Sequence, residues 1–359
     1  MTLILSNEEI DDLLVMDELI PILEDAYREL AEGRGATRRR SDIVTPTSLR
    51  DDGHYALKSM DGVIPKLGVG AIRINSDIVT YPLHDDKPRR VKVPAAPGDR
   101  YVGLVLLFST HTGEPLAIMP DGVMQRARVG ATNGIAAKYM AREDARVLAV
   151  LGSGWQAVTQ VTAHAAVRAL HEIRVYSPNR ENREDFAREV AAATGSHVRA
   201  CDSGAEACRG ADMVACATNS AAAVFSGDWL EPGMHIGVIR PGGIEVDKAA
   251  WDGIDQFALM DHIDQAETIY TDGVQAGETR GGKRDAAYDA WHAALPTLPQ
   301  IITGRRKARA DDAQVTCFLN TLGMGYQFAA AGYLVHKKAT EAGIGNQLPT
   351  DWFTETVHP

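Results

Sequence analysis

The residues of this chain whose types and spacing point most directly to chemistry are Leu151-Gly152-Ser153-Gly154-Trp155-Gln156-Ala157. They follow a short apolar run, Arg146 to Leu151, and lead into a long Ala/Val-rich stretch that reads as a helix. Gly152 permits a tight turn. Gly154 lets the backbone approach a pyrophosphate, which would sit at the positive N-terminus of the helix. Ala157, in the place of a third glycine, still allows the helix to pack closely on the strand. The strand before this turn, the helix after it and a further strand about 20 residues on make it a dinucleotide site, with Gly152, Ser153, Gly154, Trp155, Gln156 and Ala157 against the cofactor.

The end of the next strand bears on which dinucleotide. A site for NAD usually places Asp or Glu there, to bond the ribose 2′-hydroxyl. This chain reads Val175-Tyr176-Ser177-Pro178-Asn179-Arg180, without an acid. Ser177 offers a hydroxyl, with Asn179 beside it, and Arg180 can meet a 2′-phosphate as a charge-assisted pair. Arg183 is a second candidate for that pair. The expected cofactor is NADP(H) in preference to NAD(H).

The surrounding elements follow from periodicity. Ser6 with Glu9 forms a capping box for a short helix. A second helix carries Ile20, Leu23, Tyr27 and Leu30 on one face and stops at Gly33. Arg38, Arg39 and Arg40 read as a solvated loop. His54 to Met60 and Gly68 to Ile78 read as strands, and Tyr101 to Ser109 with Pro115 to Met119 as a hairpin. His84 to Arg100 reads as a polar excursion or flap. A helix is expected from Gly122 to Arg142. Strands then alternate with helices: Arg146 to Leu151, Glu172 to Tyr176, Val198 to Cys201, Met213 to Ala217, His235 to Ile239 and Phe257 to Met260, with a helix over Glu181 to Ala193. That alternation predicts an α/β fold with a doubly wound parallel sheet. Asp264 to Ala310 is polar and less regular, and Thr316 to Ala342 reads as a helix.

Composition narrows the setting. At 359 residues the chain is long enough for two domains, and 45% hydrophobic with 24% charged residues is globular. Lys+Arg 37 against Asp+Glu 48 gives a net charge of −11, which argues against a nucleic-acid or anionic-membrane partner. No apolar run reaches the length that spans a bilayer, and Glu8 and Glu9 interrupt any leader-like segment. Cys201, Cys208, Cys216 and Cys317 show neither a disulfide framework nor metal-ligand spacing, so no metal is expected and a reduced, cytoplasmic setting fits.

With these motifs the sequence resembles the ornithine cyclodeaminase/mu-crystallin family. The resemblance rests on Gly152-Ser153-Gly154-Trp155-Gln156-Ala157, on the arginine of Gln125-Arg126-Ala127-Arg128-Val129-Gly130-Ala131, on the run from Gly210 to Thr218, and on Trp229-Leu230-Glu231-Pro232-Gly233-Met234-His235-Ile236. It implies a Rossmann domain, placed at 125–319, inserted into a discontinuous α+β substrate-binding and dimerisation domain made of 1–124 and 320–359. It also implies a homodimer, cofactor contacts at Thr218 and Asn219, and a nicotinamide cofactor acting on an α-amino or α-imino acid.

The family's carboxylate-binding arginine corresponds to Arg128, whose planar guanidinium suits a bidentate grip on a substrate carboxylate. The family's strand lysine corresponds to Arg73, a departure. Lys58 either supplies the missing amine or is an exposed strand lysine. Arg40 matches a further substrate arginine. Cyclodeaminases carry an Asp in the loop after the His-Ile strand; here His235-Ile236-Gly237-Val238-Ile239-Arg240-Pro241-Gly242-Gly243-Ile244-Glu245 has none before Pro241. Near the C-terminus Phe318-Leu319-Asn320-Thr321-Leu322-Gly323 departs from the family's Phe-Asp-Ser. The function expected is an NADP(H)-dependent imine reductase or amino-acid dehydrogenase, with Arg128 and Arg40 on the substrate and Lys58, Arg73 and Arg128 as catalytic candidates. A cyclodeaminase-type ammonia lyase and a non-catalytic NADPH-binding protein are the alternatives.

Overall fold

The computed structural model describes the chain apart from residues 85–86, 89–90, 221, 241–242, 264–265, 273, 275–285 and 358–359 and the side chains of 83–84 and 87–88. The chain forms two compact units, Met1–Gln125 with Gln265–Arg280 and Met324–Pro359, and Arg126–Asp264 with Gly281–Gly323. Set beside the expected division, the second unit keeps Asn320 to Gly323, and the first takes the segment Gln265–Arg280.

Labels follow chain order. The first unit contains β1 (Thr2–Ile4), α1 (Asn7–Leu13), α2 (Met16–Ala31), β2 (Ala36–Thr37), β3 (Ser41–Pro46), β4 (Gly53–Ile64), β5 (Val69–Thr80), β6 (Leu83–His84), β7 (Lys87–Pro88), β8 (Val91–Val93), β9 (Val102–Ser109) and β10 (Pro115–Pro120), and later β17 (Glu267–Tyr270), α10 (Gly325–Ala342) and β19 (Asn346–Leu348). One sheet runs β17-β3-β4-β5-β9-β10-β1-β19, with β2 beside β4 and β8 beside β5. The capping box of Ser6 and Glu9 starts α1. α2 buries Ile20, Leu23 and Tyr27, while Leu30 is half-buried, and Gly33 follows in a left-handed conformation. α10 packs on β4 and β5 and against α2, covering one face of the sheet. The strands β4 and β5 are longer than their expected spans, because their alternation continues through Ile64 and Thr80. In the excursion His84 to Arg100, β8 pairs with β5, while 85–86 and 89–90 lie outside the described residues.

α3 (Gly122–Met140) leads the chain into the second unit, which contains β11 (Val147–Leu151), α4 (Trp155–Val167), β12 (Glu172–Tyr176), α5 (Arg180–Thr194), β13 (Val198–Ala200), α6 (Gly204–Cys208), β14 (Met213–Cys216), β15 (His235–Val238), α7 (Lys248–Gly253), β16 (Gln256–Leu259), α8 (Ala286–Ala294), α9 (Leu298–Ile302) and β18 (Thr316–Leu319). The sheet order is β13-β12-β11-β14-β15-β18-β16, and every pairing is parallel. Alternate residues of one strand serve two cores. Leu148 and Val150 pack with Ala157, Val161 and Phe186 on one face; Ala149 and Leu151 pack with Ala207, Phe225 and Ala250 on the other. This double burial explains the near-continuous apolar strands.

One expectation is corrected. Thr316 to Leu319 is a strand of this sheet, and the helix begins only at Gly325. A short apolar run buried on both faces has no alternation to set it apart from a helix. All four cysteines are free and buried. Among the described residues no helix is long and apolar enough to cross a membrane, and no cluster of three or more His, Cys, Asp or Glu could hold a metal ion.

Candidate functional site

In the second unit the carboxyl ends of β11, β12, β14 and β15 form the edge where parallel sheets take ligands. Gly152 turns out of β11 with φ +121, and a Cβ there would strike the Ala217 backbone at the end of β14, so glycine is required. Gly154 is the N-cap of α4 and provides no side-chain cap, whereas α5, α6 and α7 are capped by Asn179, Ser203 and Asp247. A Cβ built on Gly154 would meet nothing within 4 Å. An uncapped helix start beneath open space suits a diphosphate. Ala157 is fully buried and holds α4 against the sheet. The first turn of α4 is tied to α3: Gln156 Nε2 and Thr159 Oγ1 donate to the Arg126 carbonyl at 3.3 and 3.0 Å. Trp155 is exposed, with the Arg126 guanidinium 4.7 Å above its ring.

At the end of β12, Ser177 Oγ lies 2.8 Å from Ser153 Oγ, linking the end of this strand to the glycine turn. Arg183 is buried and committed: it donates to the Ser177 carbonyl at 3.2 Å and to Asp202 at 2.7 Å. Arg180 opens α5 from the surface and pairs with Glu184, one turn on, at 2.7 Å. Thr218 and Asn219 follow β14, half-buried and exposed respectively.

Arg128 is buried in α3, and Gly323 lies directly against its guanidinium, where any Cβ would collide. A buried amide ladder, which no sequence motif marks, runs through the same helix. Asn320 Nδ2 donates to the Val129 carbonyl at 3.1 Å and to Asn133 Oδ1 at 2.9 Å, and Asn133 Nδ2 donates to Gln160 Oε1 at 2.9 Å. Asn320 stands where the sequence departs from Phe-Asp-Ser, which was the available signal. The ladder fixes the middle of α3 against the end of β18 and α4.

The loop after β15 is organised by Glu245, which is fully buried. Its Oε2 accepts from the Ile239 and Arg240 amides at 2.7 and 2.8 Å, and its carbonyl accepts from Val224 and Phe225. Burial pushes its carboxyl up to about 7, against the amides of Ile239, Arg240 and Thr218 and the Arg240 charge, which favour ionisation. Burial likewise pushes the Cys216 and Cys317 thiols up beside it. Pro241 and Gly242 of this loop lie outside the described residues.

In the first unit the basic candidates share one face of the sheet. Asp42, Lys58 and Asn75 are direct cross-strand neighbours, and Arg73 sits opposite Met60. Lys58 is buried, which removes the reading of an exposed strand lysine, and its ammonium pairs with Asp77. Lys92 reaches the other oxygen of Asp77 at 2.8 Å. Burial would raise the Asp77 carboxyl, but the Lys58 and Lys92 charges outweigh it and hold it low. Arg73 donates to Asp121 at 2.7 Å, Asn75 donates to the same oxygen at 2.9 Å, and Phe328 lies under the guanidinium. Arg40, expected in a solvated loop, is buried and grips Asp42 with two bonds of 2.7 Å. Arg38 does stay exposed, paired with Asp61. Among the described residues four basic groups (Arg40, Lys58, Arg73, Lys92) thus pair with three carboxylates (Asp42, Asp77, Asp121) in one polar patch of the sheet.

An all-parallel sheet wound on both faces, with an open, uncapped glycine turn at its switch point, defines a nucleotide-binding domain of the Rossmann type. A second, largely antiparallel unit accompanies it. The chain belongs to the ornithine cyclodeaminase/mu-crystallin family, whose profile matches residues 1–343. It is 25% identical over 350 residues to a Delta(1)-pyrroline-2-carboxylate reductase of Bacillus thuringiensis subsp. konkukian, covering 96% of this chain and 99% of the relative. It is 28% identical over 338 residues to the ketimine reductase mu-crystallin of Mus musculus, covering 92% and 96%. Among solved structures it matches an archaeal alanine dehydrogenase dimer with bound NAD, at 25% identity and a TM-score of 0.75, covering 97% of this chain and 99% of that one.

Proposed function

We infer that this protein is a nicotinamide-dependent oxidoreductase that acts at the C–N bond of an imino or amino acid, with NADP(H) preferred over NAD(H). The observation that carries this reading is the open glycine turn at the head of α4, in a chain whose relatives are named as reductases of cyclic imino acids and as an amino-acid dehydrogenase. The nucleotide supplies or accepts the hydride. Gly152, Ser153, Gly154, Trp155, Gln156 and Ala157 form the diphosphate turn, and Thr218 and Asn219 flank the nicotinamide side. Arg180 supports the 2′-phosphate, because its surface pair with Glu184 contributes little and is readily exchanged.

Arg128 holds the substrate carboxylate. Gly323 leaves room for its guanidinium, and the amide ladder holds its helix, which favours a fork placed before substrate arrives. Lys58 is the proton donor to the imine nitrogen, with Asp77 and Lys92 fixing its position. Arg73 and Arg40 add positive potential for the substrate anion while their own carboxylates hold them rigid. Net reduction, in preference to cyclodeamination, is supported by the loop after β15, which presents Arg240 where the cyclodeaminase Asp is expected.

A homodimer is part of this reading. The sheet face of the first unit opposite α10 carries Ile269, Ile43 and Leu57 in register, Ile74 beside Leu104, and Ile72 beside Leu106 and Ile118. Ile269, Ile43, Leu57 and Leu104 are exposed. An apolar sheet face of this extent suits a second copy of the same chain. The test of function is NADPH oxidation, followed by absorbance, with a panel of cyclic and acyclic imino acids. Turnover with none of them would refute it.

A further inference from the structure

The loop that closes β15 carries an arginine whose charge its surroundings leave largely unanswered. Arg240 is half-buried; its Nε is shielded from solvent and has no acceptor, and no carboxylate lies within ion-pair distance of its guanidinium among the described residues. Glu245, whose carboxyl feels the Arg240 charge, gives its Oε2 to the backbone amides of Ile239 and Arg240 itself. That carboxyl therefore fixes where residue 240 stands and acts on its side chain only at a distance, without an ion pair. A desolvated donor without an acceptor is unfavourable, and an incoming anion relieves it. The position is also a ligand position, because β15 ends on the carboxyl edge of the parallel sheet, two strands from the glycine turn.

We propose that Arg240 binds an anionic group on the substrate side chain, so that this enzyme favours imino and amino acids with an acidic side chain. The proposal deepens the oxidoreductase reading and rests on it. Where a cyclodeaminase would place a carboxylate beside a substrate amine, this loop places a guanidinium, which repels an amine and attracts a carboxylate. Arg128 would take the α-carboxylate and Arg240 the second one. A phosphate of the nucleotide is the other anion this edge could meet, and the test separates the two.

Calorimetric titration of NADP⁺-saturated protein with L-glutamate and L-norvaline compares side chains of equal length with and without the acid; L-aspartate and L-2-aminobutyrate make a shorter pair. The wild type should bind the acidic member of at least one pair about tenfold or more tightly. In Arg240→Gln the ratio should fall to within about twofold, mainly through weaker binding of the acid, while NADP⁺ affinity moves by less than about twofold. Equal or weaker binding of both acidic ligands by the wild type would overturn the proposal. So would an equal loss for both members of a pair in the variant, or a loss of NADP⁺ affinity, which would assign Arg240 to the nucleotide. NADPH oxidation with ammonia and 2-oxoglutarate or oxaloacetate runs in parallel. Acid-selective binding without turnover of any imine would refute the oxidoreductase reading and leave the assignment of Arg240 standing.

Discussion

Glu245→Gln should change the pH dependence of stability by an amount that the site itself sets. The carboxyl is fully buried and pushed from 4.5 up to about 7. Between those values the folded protein holds a proton that the unfolded chain releases. The stability this contributes is fully present below about pH 4.5 and is lost as pH rises through about 7, at about 1.4 kcal/mol per pH unit and about 3 kcal/mol in all. Two buried histidines act in the opposite sense. Burial lowers His164 to about 4 and takes His235 well below its usual value, so their contribution is present above about pH 6.5 and lost as pH falls. The wild-type curve therefore mixes both trends, and the difference between wild type and Glu245→Gln isolates the carboxyl. Glutamine keeps a carbonyl for the Ile239 and Arg240 amides, so the loop keeps its anchor. Urea unfolding at pH 5, 6, 7 and 8, followed by tryptophan fluorescence, is the assay; Trp155, Trp229, Trp251 and Trp291 all lie in the second unit. Relative to wild type, the variant should gain about 2.5 kcal/mol between pH 5 and pH 8. Parallel curves, within about 0.5 kcal/mol throughout, would refute the burial argument.

Three further outcomes follow from the site. Arg128→Ala should lower kcat/KM by roughly 100-fold, as expected for loss of a desolvated carboxylate pair, with nucleotide affinity little changed; Arg128→Lys should rescue poorly because an ammonium lacks the fork. Near-wild-type efficiency would remove Arg128 from the substrate. Arg180→Ala should weaken NADPH binding about tenfold and NADH binding by less than about twofold, read by calorimetry, and an unchanged ratio would assign the preference elsewhere. Leu104→Glu should shift the protein from dimer to monomer in light scattering, and a wild-type monomer at micromolar concentration would contradict the apolar-face argument.

Much of the second unit was legible because a parallel sheet covered on both faces writes itself as short apolar runs. Its glycine turn has few other uses between a strand and a helix. The strand at Thr316 was hidden for the same reason: four buried residues have no period of their own. In the first unit the basic residues were visible but their partners were not. Asp121 is 48 positions from Arg73, and Asp77 meets Lys58 only through the offset of two long strands. Register is a tertiary fact, set where hydrophobic faces align, and a run such as Arg38-Arg39-Arg40 does not disclose that its last member turns inward. Glu245 was visible as an acid after a Pro-Gly turn. That it is buried, and that it anchors the backbone of Arg240, depends on a loop path with no periodic signature.

The central claim is net redox at a C–N bond, and nucleotide stoichiometry tests it most directly. NADPH oxidised and amino acid formed should be equal in amount when an imino acid is supplied, and L-ornithine with catalytic nucleotide should give no proline. Proline from L-ornithine with the nucleotide unconsumed would contradict the account and show that another residue does the work of the missing carboxylate.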